Sequence, residues 1–236
     1  GSTWGLEAAS SVANYIGATG RGYKPSSEAK NIPMIPGAIL YDLANGGYKD
    51  WNKKPPYSEL GIQAASKVSN NIELGNFGAG YGAKAGSLKG GLGSASFILD
   101  DGIQVGGLFA VNSYGSTVNS ETGQFWSATD EYNDEFGNKG VPSYSPSNPL
   151  SGTANQETLP GQNTTIGVVA TNVKLDSRAA KRIAIMAHSG MSRAIRPIHS
   201  PVDGDVIFVL STGTLDKELN LNDINIIGEL GARVCS

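Results

Sequence analysis

Cysteine is all but missing from this chain: among 236 residues only Cys235 carries a thiol. No internal disulfide can form, which favours a reducing compartment, and a lone cysteine reads as a small packing residue. Histidine is nearly as scarce, with His188 and His199 alone. Neither has evident partners for a Ser/His/Asp triad, and no Gly-x-Ser-x-Gly elbow occurs. Both histidines therefore read as structural. With Cys235 the only other soft ligand, neither a metal centre nor a cofactor is expected. Long apolar runs are absent too, none reaching the roughly 18 residues of a membrane span. Clustered positive charge is missing: nothing is denser than Lys53-Lys54, and the net charge is −3. Nucleic acid and membranes are thus not expected as partners. No leader peptide is visible, and the expected location is cytoplasmic. The helical pattern is under way from the start, with Leu6, Ala9, Ala13 and Ile16 on one face, and Asn222 to Val234 reads as a helix still running. The sequence thus reads as starting and stopping in mid-pattern.

Glycine, by contrast, is abundant at 32 residues but follows no Gly-X-Y period, which excludes collagen. Apolar residues make up 39% and charged residues 17%, the balance of a chain that buries a core. Thr3 to Ile16 predicts an amphipathic helix with a Ser/Thr-type cap, and Ser58 to Ile72 a second helix with Leu60, Ala64 and Val68 on one stripe. Gly37 to Leu43 predicts a short strand ending at a turn, Asn45-Gly46-Gly47. Ser94 to Leu99 and Ile103 to Val111 predict a hairpin across Asp100-Asp101-Gly102. Tyr132 to Pro160 is polar and reads as a long loop. Buried strands follow at Ile166 to Thr171 and Asp205 to Leu210, with a helix from Ser177 to Ile195 between them. Strands and helices in blocks favour layered α/β packing over regular βαβ alternation.

The glycine segment Gly78-Ala-Gly-Tyr-Gly-Ala-Lys84 is not a phosphate loop, because Lys84 lies between Ala83 and Ala85 rather than before Ser or Thr. It is not a dinucleotide fingerprint either, since Gly78, Gly80 and Gly82 are too closely spaced. Close backbone approach between packed segments is the reading that remains.

Three features carry possible chemistry. Asn163-Thr164-Thr165 stands where the polar loop meets a buried strand; composition alone reads Thr164 as an ordinary strand threonine. Asp203-Gly-Asp205 places two carboxylates at i and i+2, which share one side if the segment is extended, and which otherwise form a turn capping the strand. Asn112, Lys89 and Tyr41 are polar residues in or beside apolar runs, where satisfied core polarity is the plain alternative.

In these residues the chain resembles the DmpA/P1 family of self-processing aminopeptidases, peptidase family S58, and within it the nylon-oligomer endo-hydrolases. The resemblance is carried by Ile35-Pro-Gly-Ala-Ile-Leu-Tyr-Asp-Leu43, Gly78 through Gly93, Val111-Asn112, Asn163-Thr-Thr-Ile166 and Val169-Ala-Thr-Asn172. His188 through Pro197 and Asp203-Gly-Asp-Val-Ile-Phe208 complete it. It implies an α/β fold, the layered αββα sandwich of N-terminal-nucleophile hydrolases, in one domain over residues 1–236. The family's first segment is missing from this sequence. The resemblance also implies self-cleavage between Asn163 and Thr164, giving an α part (1–163) and a β part (164–236). The expected assembly is an α/β heterodimer that builds a tetramer.

The implied site comprises Thr164 as nucleophile, Asn112 on the oxyanion side, Tyr41, a lysine, and the Asp203/Asp205 pair. Lys89 fits the lysine motif, with Lys84 as the nearby alternative. In this chemistry Thr164 Oγ first attacks the Asn163 carbonyl, an ester replaces the amide, and water hydrolyses it. The freed α-amine, with a reference pKa of about 7.7–8.0, then serves as base for its own hydroxyl, so no histidine is required. The implied activity is hydrolysis of oligoamides such as 6-aminohexanoate oligomers. The alternative within the family is a β-peptidyl or D/L-aminopeptidase.

Overall fold

The structure, a computed structural model, describes residues 2–51, 54–154 and 162–236. They fall into two compact units, Gly1–Glu73 and Leu74–Ser236.

In the first unit a 3-10 turn, Ser2–Gly5, leads into helix α1 (Leu6–Ala18). The helix starts later than its periodicity suggests. Its N-cap is Gly5, with no side-chain cap, so the expected Ser/Thr cap is not made. Helix α2 (Tyr57–Ser66) packs on α1 and is shorter than expected, because Lys67 leaves helical geometry at φ −107°. The apolar run Gly37 to Leu43 is not a strand. Among the described residues this unit holds only an isolated bridge, Tyr23 with Ile32, and an apolar run without a sheet edge to join stays irregular.

The second unit is built on a four-stranded sheet of β3 (Gly91–Ile98), β4 (Gln104–Asn112), β5 (Thr164–Val173) and β6 (Val206–Leu215), in that order. A small antiparallel pair comes first, β1 (Lys84–Ala85) with β2 (Leu88–Lys89). The glycine segment before it does allow close approach: a Cβ on Gly80 would lie 2.4 Å from the Leu92 amide nitrogen. Strands β3 (Gly91–Ile98) and β4 (Gln104–Asn112) form the expected hairpin. Its turn is held by Asp101, whose carboxylate accepts from the Ile103 N–H, and by Gly102 at φ 86°. Strand β5 (Thr164–Val173) pairs antiparallel with β4 and parallel with β6 (Val206–Leu215). Between β5 and β6 runs helix α3 (Ser177–Ala194), so the layered fold contains a βαβ unit after all. Helix α4 (Leu221–Arg233) ends the described elements. No helix among the described residues is long and apolar enough to cross a membrane.

Local sequence accounts for these elements. Asp176 caps α3 by accepting from the Ala179 N–H, and Asn220 with Asp223 forms a reciprocal capping box on α4. Alternation along β5 buries Val169 and Val173. They join Ile183, Ala187 and Met191 of α3, Ile227 and Leu230 of α4, and Val105 and Phe109 of β4 in one core. Full burial of side chains such as Ile183 or Ile227 stabilises by roughly 1.5–3 kcal/mol each. Helices α3 and α4 cross so closely that a Cβ on Gly190 would fall 1.9 Å from the Ala232 carbonyl oxygen. The polar stretch from Tyr132 holds no helix or strand through Ala154; residues 155–160 of that expected loop lie outside the described residues.

Candidate active site

The end of β4 and the starts of β5 and β6 meet at one place in the second unit. Asn112, the last residue of β4, is the register partner of Thr164, the first of β5. One residue earlier, Asn163 bridges in parallel to Asp203, just before β6. This topology brings Asn112, Asn163, Thr164, Asp203 and Asp205 together from segments far apart in sequence.

Thr164 is 5% exposed, and its hydroxyl donates to the Asn163 carbonyl oxygen at 2.5 Å. That carbonyl accepts a second hydrogen bond, from the Gly204 N–H at 2.9 Å. Two donors on one carbonyl polarise it, and one of them belongs to a hydroxyl that could attack its carbon. Gly204 is confined by this contact: a Cβ there would stand 3.0 Å from Thr164 Oγ1.

Asp203 fixes the peptide that supplies the donor. One carboxylate oxygen accepts from the Tyr114 N–H at 3.0 Å. The other accepts from Ser200 Oγ at 2.5 Å and the Ser200 N–H at 3.3 Å, while the Asp203 N–H donates back to the Ser200 carbonyl. Burial pushes the Asp203 carboxyl above the ordinary carboxylate range; the hydrogen bonds from Ser200 and Tyr114 oppose this, and the charge of Asp205 adds to it. With both oxygens occupied, Asp203 is suited to positioning.

Asp205 has a different setting. Its side chain is fully buried, and one oxygen accepts from the Thr165 N–H at 2.7 Å. The other takes the His199 N–H at 3.1 Å and lies 3.0 Å from His199 Nδ1. The two carboxylates are thus near neighbours with unlike contacts, one on the Gly204 side of Thr164 and one on its Thr165 side.

Asn112 is 2% exposed and accepts from the Lys84 N–H at 3.0 Å. Its amide nitrogen donates to the Gln162 carbonyl at 3.4 Å, so in the intact chain it addresses the peptide before Asn163 rather than the Asn163 carbonyl itself. The two candidate lysines face each other across the β1/β2 pair. Lys89 is exposed, and its ammonium donates to the Tyr81 carbonyl at 2.8 Å. Lys84 is the one whose backbone touches Asn112. Tyr41 belongs to the first unit and is half-buried there; the arrangement described is formed by the second unit alone.

Sequence reasoning passed over Gly204, Ser200 and the two histidines. Gly204 acts through its backbone N–H, and Ser200 through the hydroxyl and N–H that it turns onto Asp203, contacts that the sequence does not display. His199 was set aside for want of a serine partner, yet it pairs with Asp205, a carboxylate already singled out.

The description Peptidase family S58 matches residues 1–234. A Mycobacterium tuberculosis protein named as an uncharacterized aminopeptidase is 39% identical over 220 residues, covering 91% of this chain and 60% of that protein. The chain thus spans about three-fifths of the length of that relative. A 6-aminohexanoate-oligomer endohydrolase of Paenarthrobacter ureafaciens is 39% identical over 54 residues only, 23% of this chain and 15% of that protein. Among solved structures, a Burkholderia sp. beta-aminopeptidase aligns with TM-score 0.59 at 19% identity, covering 97% of this chain and 62% of the other. An l-aminopeptidase d-ala-esterase/amidase from Ochrobactrum anthropi, described as a variant of the Ntn hydrolase fold, aligns with TM-score 0.51 at 22% identity over 76% of this chain and 47% of the other.

Proposed function

We propose that this chain, which belongs to peptidase family S58, is an amide-bond hydrolase that cuts itself between Asn163 and Thr164 and then uses Thr164 as its nucleophile. The carrying observation is the doubly hydrogen-bonded Asn163 carbonyl, with Thr164 Oγ1 at 2.5 Å and the Gly204 N–H at 2.9 Å.

Thr164 Oγ attacks the Asn163 carbonyl carbon, and the Gly204 N–H stabilises the oxygen as it gains negative charge. The carbon–nitrogen bond breaks as the hydroxyl proton passes to the departing nitrogen, leaving an ester at Oγ and a free α-amine. Water then hydrolyses the ester, giving the Asn163 carboxylate and the Thr164 hydroxyl. The two parts stay together because β4, in the α part, pairs with β5, in the β part, from Val105↔Thr171 to Asn112↔Thr164. This continuity supports an α/β heterodimer; the further step to a tetramer is read by native mass spectrometry.

In the cut enzyme the Thr164 amine takes the proton from its own hydroxyl, directly or through water. Thr164 Oγ attacks a substrate amide, and the acyl carbonyl takes the place left by Asn163, against the Gly204 N–H, with the Asn112 amide, freed from Gln162, as the second donor. Asp203 holds the Gly204 peptide and Asp205 holds the Thr165 N–H, each flanking the amine. For the lysine, the contact of the Lys84 backbone with Asn112 favours Lys84 over Lys89.

Two substrate classes fit this chemistry. Long matches to proteins named as aminopeptidases favour a peptide with a free N-terminal residue. The threonine nucleophile and the Asp-x-Asp pair favour an oligoamide such as a 6-aminohexanoate oligomer, although that match covers only 54 residues. Intact-mass measurement should show two fragments split at Asn163/Thr164. A single mass accompanied by full activity would remove Thr164 as an N-terminal nucleophile. N-blocked and free oligoamides then separate the substrate classes: turnover that requires a free amine identifies the aminopeptidase.

A further inference from the structure

Both histidines of the chain stand in line with the fully buried Asp205 carboxylate. His188 Nδ1 is 3.2 Å from His199 Nε2, and His199 Nδ1 is 3.0 Å from Asp205. The opposite oxygen of Asp205 holds the Thr165 N–H, one residue from the nucleophile. His199 is exposed, while His188, on α3, is half-buried. His199 also adopts φ 56°, a conformation uncommon outside glycine, while its own backbone N–H and ring both turn onto Asp205.

The hydrogen-bond pattern fixes the tautomers. Ionised Asp205 can only accept, so His199 Nδ1 carries a proton. In the neutral form His199 Nε2 is then a lone pair, and His188 Nδ1–H donates to it. His188 Nε2 is left as the acceptor at the outer end. When a proton arrives there, the His188 Nδ1 proton passes to His199 Nε2. The result is an imidazolium on His199 against Asp205 and a neutral, Nε2-protonated His188. One proton enters and none is lost.

We infer that His199 is the positioning residue for Asp205, and that His188 orients the His199 ring, so that the pair carries the proton that sets the low-pH edge of catalysis. This rests on the Thr164 reading above. The charges facing the pair are Asp205 and, beside it, Asp203. Arg193 on the same helix is paired with Asp130, and the Arg196 guanidinium lies over the Trp126 ring. Burial holds the His188 ring below the ordinary histidine range, the charge of His199 adds to this, and Asp205 opposes it. A proton added to the pair is held on the ring that contacts the Asp205 carboxylate, His199.

The consequence has a definite sign. A bare Asp205 carboxylate near the Thr164 amine raises the amine's pKa and holds it protonated, inactive as a base. An imidazolium on His199 offsets that charge and keeps the amine usable at lower pH. Removing the ring should move the acidic limb of kcat upward.

His199→Asn tests this, since asparagine tolerates the positive φ and keeps the backbone donor to Asp205. The expected result is unchanged thermal unfolding, kcat lowered about tenfold with KM nearly constant, and an acidic limb displaced upward by about half a pH unit or more. His188→Phe, which removes the donor to His199 Nε2 together with the outer acceptor, should shift the limb in the same direction by less. Nitrogen-15 NMR of the two imidazoles supplies a readout free of turnover: His199 should be the Nδ1–H tautomer at neutral pH, and Asp205→Asn should alter its titration. A folded His199→Asn enzyme with the parental pH profile overturns the inference, as does an Nε2–H tautomer at His199 indifferent to Asp205→Asn. A parent that neither cuts itself nor turns over substrate defeats the Thr164 reading instead, and the NMR arm still decides whether His199 holds Asp205.

Discussion

Replacing Asn112 with aspartate separates two of its hydrogen bonds. Asn112 accepts from the Lys84 N–H at 3.0 Å and donates to the Gln162 carbonyl at 3.4 Å, at 2% exposure. Asn112→Ala would delete both and leave the Lys84 N–H without this acceptor, at a cost of about 1–3 kcal/mol for a buried donor. A loss of activity in that variant would be mixed with a loss of stability. Asn112→Asp keeps the shape and the acceptor, and turns the donor into an oxygen facing an oxygen. If the amide donates to the acyl oxygen during the reaction, removing that single donor should slow turnover by about 10²–10³-fold, or 2.7–4 kcal/mol. The new carboxyl is buried, so its pKa rises. Below that pKa it carries a proton, regains a donor, and the deficit relative to the parent should shrink. The assay is the time course of the two fragment masses, together with kcat, across a pH series; urea unfolding checks that the fold is kept. Self-cleavage and turnover within about threefold of the parent at neutral pH would refute the donor role. A deficit constant with pH would refute the proposed cause.

Thr164→Ala should run as one intact mass and be inactive, whereas Thr164→Ser should still yield two fragments. Gly204→Ala places a Cβ 3.0 Å from Thr164 Oγ1 and should slow the appearance of the fragments by about tenfold, with the unfolding midpoint little changed. Asp203→Asn should flatten the pH dependence of stability. The folded-state pKa of Asp203 lies above the ordinary carboxylate value, so between the two the folded chain keeps a proton that the unfolded chain has released, and stability falls as pH rises through that window. Thermal unfolding of the two proteins across that range shows whether the slope disappears. Gly190→Ala puts a Cβ 1.9 Å from the Ala232 carbonyl oxygen and should destabilise by roughly 1–3 kcal/mol in urea without altering the fragment pattern.

How far the sequence could be read depended on the range of the signal. Alternation and caps act locally, so the hairpin around Gly102 and helices α3 and α4 were legible to within a residue or two. Gly37 to Leu43 was misread because an apolar run becomes a strand only beside another edge, and sequence does not say where edges are. Cap chemistry failed at α1 for the opposite reason: a 3-10 turn took the place where Thr3 would have capped. At the site, the residue types that carry chemistry were visible as Thr164, Asp203, Asp205 and Asn112. Their partners were not, because most are backbone groups, the N–H groups of Gly204, Thr165, Tyr114 and Lys84, and the side chains among them, Ser200 and His199, belong to no motif of their own.

The same contrast explains how the Asp203-Gly-Asp205 segment works. Two carboxylates at i and i+2 on an extended segment would act on one group together. Here the intervening glycine donates to the Asn163 carbonyl, and the carboxylates diverge, one anchoring the turn that aims that donor and one holding the Thr165 N–H. Asp203 meets a serine hydroxyl and two N–H groups, and Asp205 meets an imidazole that can change charge. A carboxylate tied to fixed donors serves geometry; one tied to a histidine pair can report pH. Thr164 sits between them, so the bond before it and the amine that cutting would release are governed by unlike neighbours. Substitution at Asp203 should therefore act mainly on how fast the chain cuts itself. Substitution at Asp205 should act mainly on the pH range in which the cut enzyme works, a split that fragment kinetics and kcat–pH profiles of Asp203→Asn and Asp205→Asn measure directly. Equal effects of both variants on both readouts would refute the division.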